Sequence, residues 1–235
     1  MVVCWPLGVV FVLLTKIWSR LRGDLEGEHR AAGQRALSRF FRFWLKGLMV
    51  LGIVRIEDEE LAKRVPLEGP LVIVGNHPAL WDSLLIIRHC EAVSCIIKAS
   101  LLLNPFLRGG ALFAGFLPNT PRLSMIRSAV ERLRSGGQLL LFPEGTRTRV
   151  ENGVLNAFSP GMALMVKKSG VPVLPVFIQT NSPYLGKGWP IWKMPDFPVR
   201  ISVRVGDVLE VGDDESVREF SERVEEIFRG QLQRG

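Results

Sequence analysis

Three runs of nearly unbroken apolar residues, Leu71–Gly75 (LVIVG), Gln138–Phe142 (QLLLF) and Val171–Ile178 (VPVLPVFI), constrain this chain more than any other feature. A strand with water on one face alternates apolar and polar residues; a strand without that alternation is buried on both faces and needs helices to cover it. The neighbouring segments supply them. Asp82–Cys90 (DSLLIIRHC) reads as a helix and Ala92–Lys98 (AVSCIIK) as a further strand. Arg122–Ser135 reads as a helix with Leu123, Ile126, Val130 and Leu133 on one face and Gly136 at its stop. Pro160–Ser169 is a helix ending at Gly170, and Val199–Val205 is a strand. Val217, Phe220, Val224, Phe228 and Leu232 mark a closing amphipathic helix. The prolines of Val171–Ile178 suggest an edge strand or a bulge. The expectation is an α/β domain over residues 57–235, a mainly parallel sheet covered by helices, with no repeat or linker dividing it.

Residues 1–56 read differently. Val2–Leu14 is almost wholly apolar and is followed by Lys16, Arg20 and Arg22. No basic region precedes it and no small-residue cleavage site follows, which argues against a secretory signal. The run is shorter than the roughly 20 residues that span a bilayer, so a re-entrant or interfacial segment is favoured. If it does span, the basic residues behind it place the body on the cytoplasmic face. From Arg30 to Ile56, Arg35, Arg39, Arg42 and Lys46 share one helical face, while Leu37, Phe40, Phe41, Trp44, Leu45 and Leu48 share another. Such a helix either packs on the core or lies in a headgroup layer; following an apolar N-terminus, it is read as part of a membrane-associated helical segment.

A formal charge of +7 in a chain that is 47% hydrophobic excludes disorder as the main theme and favours an anionic partner. A mean hydropathy of +0.21 at a pI near 9.8 points to membrane lipid and away from nucleic acid. Three cysteines without C-x-x-C spacing suggest neither a disulfide framework nor a zinc site, and a reducing cytosolic setting fits them.

Chemistry concentrates after the first two buried runs. Gly75-Asn76-His77-Pro78-Ala79-Leu80-Trp81-Asp82 follows Leu71–Gly75, at the strand end where open α/β sheets gather ligands. An imidazole can take a proton from a hydroxyl near neutral pH, and a carboxylate on its other nitrogen fixes the tautomer and stabilises the imidazolium. On a regular helix, side chains five residues apart diverge by roughly 140°. Pro78 disfavours the helical conformation at His77 and can start a helix just after it, which lets Asp82 reach back. The alternative is a structural histidine with Asp82 as a cap. Phe142-Pro143-Glu144-Gly145-Thr146-Arg147 follows the second run: Gly145 permits a positive φ, and Glu144, Thr146 and Arg147 can be presented around an anion, with Arg147 able to grip phosphate; a plain turn is the alternative. His29 and His89 have no carboxylate at useful spacing and are read as structural or surface residues.

His-x-x-x-x-Asp and Phe-Pro-Glu-Gly-Thr-Arg, in this order and about 65 residues apart, resemble the glycerolipid acyltransferases, the family of lysophosphatidate acyltransferases. The resemblance covers roughly Leu71–Ile178, including Val171-Pro172-Val173-Leu174-Pro175-Val176 as the last motif. It implies His77 as general base, Asp82 as its orienting partner, and Glu144, Gly145, Thr146 and Arg147 as the acceptor-phosphate site. Where the family carries an Ile-Asp-Arg-like segment, this chain has Gly115-Phe116-Leu117-Pro118-Asn119-Thr120-Pro121-Arg122; Arg122 takes the place of the phosphate-binding arginine without the preceding acid. Lys98 resembles a basic residue near the family's site. The implied reaction moves a fatty acyl group from acyl carrier protein or coenzyme A to the hydroxyl of a lysophospholipid such as 1-acylglycerol 3-phosphate. A thioester is already activated, so no cofactor, metal or covalent acyl-enzyme is needed. Backbone N–H groups at the start of the Asp82 helix are the candidates for holding the oxyanion. Other readings are a same-fold acyltransferase with a different lipid or carrier-bound acceptor, a thioesterase, and a non-catalytic peripheral membrane protein.

Overall fold

The computed structural model describes residues 26–65, 68–149, 151, 153–190 and 192–234. The Val2–Leu14 run, Lys16, Arg20, Arg22, Cys4 and the His29 side chain lie outside the described residues. In chain order the elements are α1 (Glu26–Val50), β1 (Val54–Glu57), α2 (Glu59–Arg64), β2 (Leu71–Gly75), α3 (Asp82–Ile87) and β3 (Val93–Ile97). A 3₁₀ turn (Ala99–Leu103), α4 (Pro105–Phe113), β4 (Leu117–Pro118), α5 (Arg122–Arg134) and β5 (Gln138–Leu141) come next. The chain closes with α6 (Gly161–Ser169), β6 (Val173–Thr180), β7 (Val199–Val205) and α7 (Val217–Gln233).

The strands form one seven-stranded sheet in the order β1-β7-β6-β2-β5-β3-β4. β6, β2, β5, β3 and β4 are mutually parallel; β7 runs antiparallel to β6, and β1 is parallel to β7. Every residue of β2 is buried, and its side chains divide between two cores. Leu71 and Ile73 face the core covered by α1, α2 and α3; Val72 and Val74 face the one covered by α5, α6 and α7. This is the mainly parallel, helix-covered sheet that the unbroken apolar runs require. α7 opens on a capping box between Ser216 and Glu219 and buries Phe220, Val224, Phe228 and Leu232, at four-residue spacing, in the second core.

The structure corrects four local expectations. β6 is an interior strand, so its prolines do not mark an edge. They do mark an irregularity: Val173 pairs with Leu209 and Val176 with Val205, leaving two residues between them on β6 opposite three on the other side, and Pro175 offers its carbonyl to Gly206. Leu123, expected on the buried face of α5, is 81% exposed, because the first turn opens onto the groove beside Leu164 and Lys168. The division expected after residue 56 falls inside β1: the N-terminal helix ends at Val50, Gly52 turns with φ of 69°, and Val54 and Ile56 enter the sheet beside β7. Finally, the aromatic and aliphatic stripe of α1 faces the body. Leu37 and Leu45 are buried, and Phe41, Trp44 and Leu48 pack against the first core. A side chain at Gly33 would collide with the Phe113 backbone, so that glycine is what allows α1 to lie close against α4. Arg35, Arg39 and Lys46 remain exposed, while the Arg42 guanidinium turns onto the body and donates to the Arg88 carbonyl at 3.1 and 3.2 Å.

Candidate active site

The C-terminal ends of the five parallel strands meet at one edge of the sheet, the position where crossover topology leaves room for a ligand. His77 stands two residues beyond β2, and Pro78 separates it from α3, whose first residue is Asp82. The turn lets Asp82 reach back: its Oδ2 lies 2.8 Å from His77 Nδ1 and also accepts the Ala79 N–H at 2.8 Å. With Nδ1–H donating to the carboxylate, the Nε2 lone pair is the basic site of the imidazole. The ring stacks on Phe142 at 4.4 Å between centroids, which fixes its plane. Asp82 is fully buried, and burial pushes its carboxyl up to about 6 against the opposing effect of the hydrogen bonds from His77 and Ala79. At neutral pH it is chiefly ionised, which suits it to stabilise an imidazolium beside it.

Glu144 faces inward. Its oxygens accept the His77 N–H at 2.8 Å, the Asn156 N–H at 2.9 Å, and the Thr148 hydroxyl at 2.9 and 3.0 Å. The acid of the second motif thus holds the backbone of the first, and Thr148 N–H returns a bond to the His77 carbonyl at 2.8 Å. Burial raises the Glu144 carboxyl above its usual range, only partly offset by these donors. Sequence reasoning placed Glu144 at the substrate and missed Thr148, Asn156 and Asn76. Asn76 exchanges two hydrogen bonds with the Ile178 backbone, at 2.7 and 2.8 Å, locking the end of β2 to β6. A short polar residue directly after a buried strand was the available signal for it.

Arg147 spends its Nη1 on the Leu185 and Gly186 carbonyls at 2.7 and 2.8 Å, leaving Nε and Nη2 for an anion. Gly145 has φ of 65°, as the turn requires, and the Thr146 hydroxyl accepts from Lys187 Nζ at 3.0 Å. Arg122 begins α5 and reaches the Ser159 hydroxyl at 2.7 Å, while the Ser159 N–H donates to the Pro143 carbonyl at 2.9 Å. Ser159 therefore draws Arg122 to the second motif. Lys98 is exposed just past β3; the following Ala99 N–H donates to Asn119 Oδ1 at 3.0 Å, beside the segment leading to Arg122. The N–H groups of Ala79 and Leu80, at the start of the Asp82 helix, are already engaged by Asp82 and by the Leu185 carbonyl, and so do not serve the oxyanion. His89, read as lacking a carboxylate, has one from a distant segment: its Nε2 lies 2.6 Å from Asp58 Oδ2.

An imidazole with a carboxylate behind it, with Arg122 and Arg147 held at the neighbouring motif, suits proton removal from a hydroxyl on an anionic molecule. Comparison with known proteins shows the family. The family model described as Acyltransferase matches residues 53–179. A 1-acyl-sn-glycerol-3-phosphate acyltransferase of Pseudomonas aeruginosa is 30% identical over 195 residues, 79% of this chain and 71% of that protein. Another, from Borreliella burgdorferi, is 30% identical over 61% of this chain and 56% of its own length. The crystal structure of the 1-acyl-sn-glycerophosphate acyltransferase of Thermotoga maritima shares the fold, with a TM-score of 0.71 at 22% identity, covering 98% of this chain and 93% of that one. On the strength of the matched domain and these relatives, the chain belongs to the glycerolipid acyltransferase family and is an acyltransferase.

Proposed function

We propose that the enzyme transfers a fatty acyl group from an acyl carrier protein or coenzyme A thioester to the free hydroxyl of a lysophosphatidate-type acceptor such as 1-acylglycerol 3-phosphate. The observation that carries this reading is the 2.8 Å contact between His77 Nδ1 and buried Asp82, which leaves Nε2 as the base. Nε2 takes the hydroxyl proton as the oxygen attacks the thioester carbonyl; the imidazolium, stabilised by Asp82, then protonates the leaving thiolate. The chemistry requires no cofactor, because the thioester carries the activation. Arg122 and the remaining donors of Arg147 are suited to the acceptor phosphate, with Lys98 at the same edge. The exposed Arg35, Arg39 and Lys46 supply an electrostatic attraction to anionic lipid, with Arg42 of the same stripe tied to the body, and the apolar Val2–Leu14 run a second signal, consistent with a body on the cytoplasmic face of a membrane. Among the described residues no helix is long and apolar enough to cross a membrane.

The test is incubation with labelled acyl thioesters and a panel of lysolipids, with products identified by mass. Acylation of 1-acylglycerol 3-phosphate, strongly reduced in His77→Ala, is the expected result. Arg147→Ala should raise the acceptor KM far more than the donor KM, by about tenfold or more, since a charge-assisted contact is worth roughly 1.5–3 kcal/mol. A neutral monoacylglycerol acylated as well as its phosphate ester would remove the phosphate from the reading. A different lipid or carrier-bound acceptor is the second reading, and the altered Pro118–Arg122 segment is what favours it.

A further inference from the structure

The loop between β6 and β7 displays apolar side chains that the body does not use. Trp192 is 86% exposed, Met194 66% and Phe197 45%. Exposed apolar residues scattered singly are ordinary on a protein surface; three within six residues, one of them an indole, are not. The root of the same loop is firmly built. Trp81, Tyr184 and Trp189 form a chain of edge-to-face rings at 5.6 and 6.2 Å. Trp189 Nε1 donates to the Lys193 carbonyl at 2.8 Å, and the Lys193 ammonium lies over its ring at 4.8 Å. The Leu185 carbonyl accepts from both Leu80 N–H and Arg147 Nη1. The loop's root is therefore bonded to residues adjoining both motifs, at the edge of the sheet that carries His77.

We propose that the β6–β7 loop is a second membrane-contact element, in which Trp192, Met194 and Phe197 enter the interface of an anionic bilayer and seat the catalytic edge there. The chemistry of the tip selects this occupant. Indole, thioether and phenyl groups beside ammonium groups match the boundary between acyl chains and anionic headgroups. Lys187 and Lys193 outnumber Asp196 along the loop, and the whole chain carries +7. A second contact beyond the N-terminal one removes rotational freedom, so the edge that holds His77 faces the lipid surface. This inference rests on the reading of a lipid acceptor.

The experiment uses the full chain with phosphatidylcholine vesicles, with and without phosphatidylglycerol, some carrying bromine on their acyl chains. Bromolipid should quench the wild-type tryptophan emission, and W192F should lose a clear share of that quenching, while retaining vesicle binding. W192S/M194S should partition onto anionic vesicles about tenfold more weakly, the scale expected for withdrawing large apolar side chains from lipid. It should also lose activity on vesicle-embedded 1-acylglycerol 3-phosphate and keep it on a short-chain, water-soluble analogue. Equal quenching of wild type and W192F, or equal loss of activity on both acceptors, overturns the proposal. So does vesicle-free self-association that W192S/M194S abolishes, which would assign the patch to a second copy of the chain. If no lysolipid is acylated while Trp192-dependent quenching persists, the membrane contact stands and the acceptor assignment falls.

Discussion

Two imidazole–carboxylate pairs flank the short helix α3: His77 with Asp82 at its start, His89 with Asp58 after its end. Their hydrogen bonds are similar, 2.8 Å in the first and 2.6 Å in the second. Their surroundings are opposite. Asp82 has no cation beyond its own imidazole among the influences on its carboxyl, and burial drives it up to about 6. Asp58 is also pushed up by burial, but hydrogen bonds from His89 and Arg88 and the Arg88 charge outweigh this and hold it below its ordinary value. Arg88 bonds Asp58 through Nε and Nη2, and its own carbonyl accepts from Ser38 and Arg42 of α1. One pair stands at the ligand edge of the sheet and can exchange protons; the other is a latch joining α1, α3 and the β1–α2 turn. An arginine added to a histidine–carboxylate pair consumes the charge that would otherwise stabilise an imidazolium.

The contrast can be broken most directly at the histidines. His77→Ala should lower turnover by about 10² to 10⁴, the usual effect of a lost general base, while His89→Ala should stay within a few-fold of wild type. Steady-state assays of both variants decide it, and comparable losses would show that the two pairs are not distinct. The carboxylates invert the comparison when stability is measured. Asp58→Asn leaves Arg88 buried without its partner and should cost about 3 kcal/mol in denaturant unfolding, with turnover of the folded enzyme nearly intact. Asp82→Asn should depress turnover by about 10² or more and leave stability unchanged or improved at pH 7, because a buried charge is removed.

Acid separates the two pairs without mutation. Asp82 sits above its unfolded value of 3.8, so the folded state takes up that proton first. Its contribution to stability is full below that value and is lost as pH rises through about 6. Glu144, also raised, works in the same direction. Asp58, held low, contributes above its unfolded value and fails only as pH falls through its own lowered one. Between about pH 6 and pH 4, turnover should fall while the latch stays closed, and activity and melting profiles recorded side by side would show it. A melting temperature that collapsed together with turnover would tie both losses to unfolding. The smallest effect is expected from Ser38→Ala, which removes one donor from the Arg88 carbonyl and should cost about 1 kcal/mol with no change in turnover.

The central strands, most of the helices around them and the His77–Asp82 contact were legible because each depends on short-range pattern. LVIVG and QLLLF are long enough in apolar residues to specify strands buried on both faces, and Pro78 disfavours a continuous helix through His77, which favours a turn between His77 and Asp82. The 57–235 boundary and the buried place of Leu123 failed by a few residues, where a turn glycine or a groove decided the outcome. Roles set by contacts distant in sequence stayed hidden. Glu144 looked like a substrate contact, yet its bonds to His77, 67 residues away, make it the brace of the site. The α1 stripe looked able to face lipid, and only the presence of a matching core beneath it directed Leu37, Phe41, Trp44 and Leu45 inward. His89 looked unpaired because its carboxylate lies 31 residues back. Sequence by itself picked out the residues whose types suit acyl transfer, since that suitability follows from their chemistry and from patterns spanning one or two turns of chain. Tertiary structure alone decided which carboxylate is raised beside a lone imidazole and which is held low in a latch, because desolvation and neighbouring charge are properties of a folded location and not of a residue type.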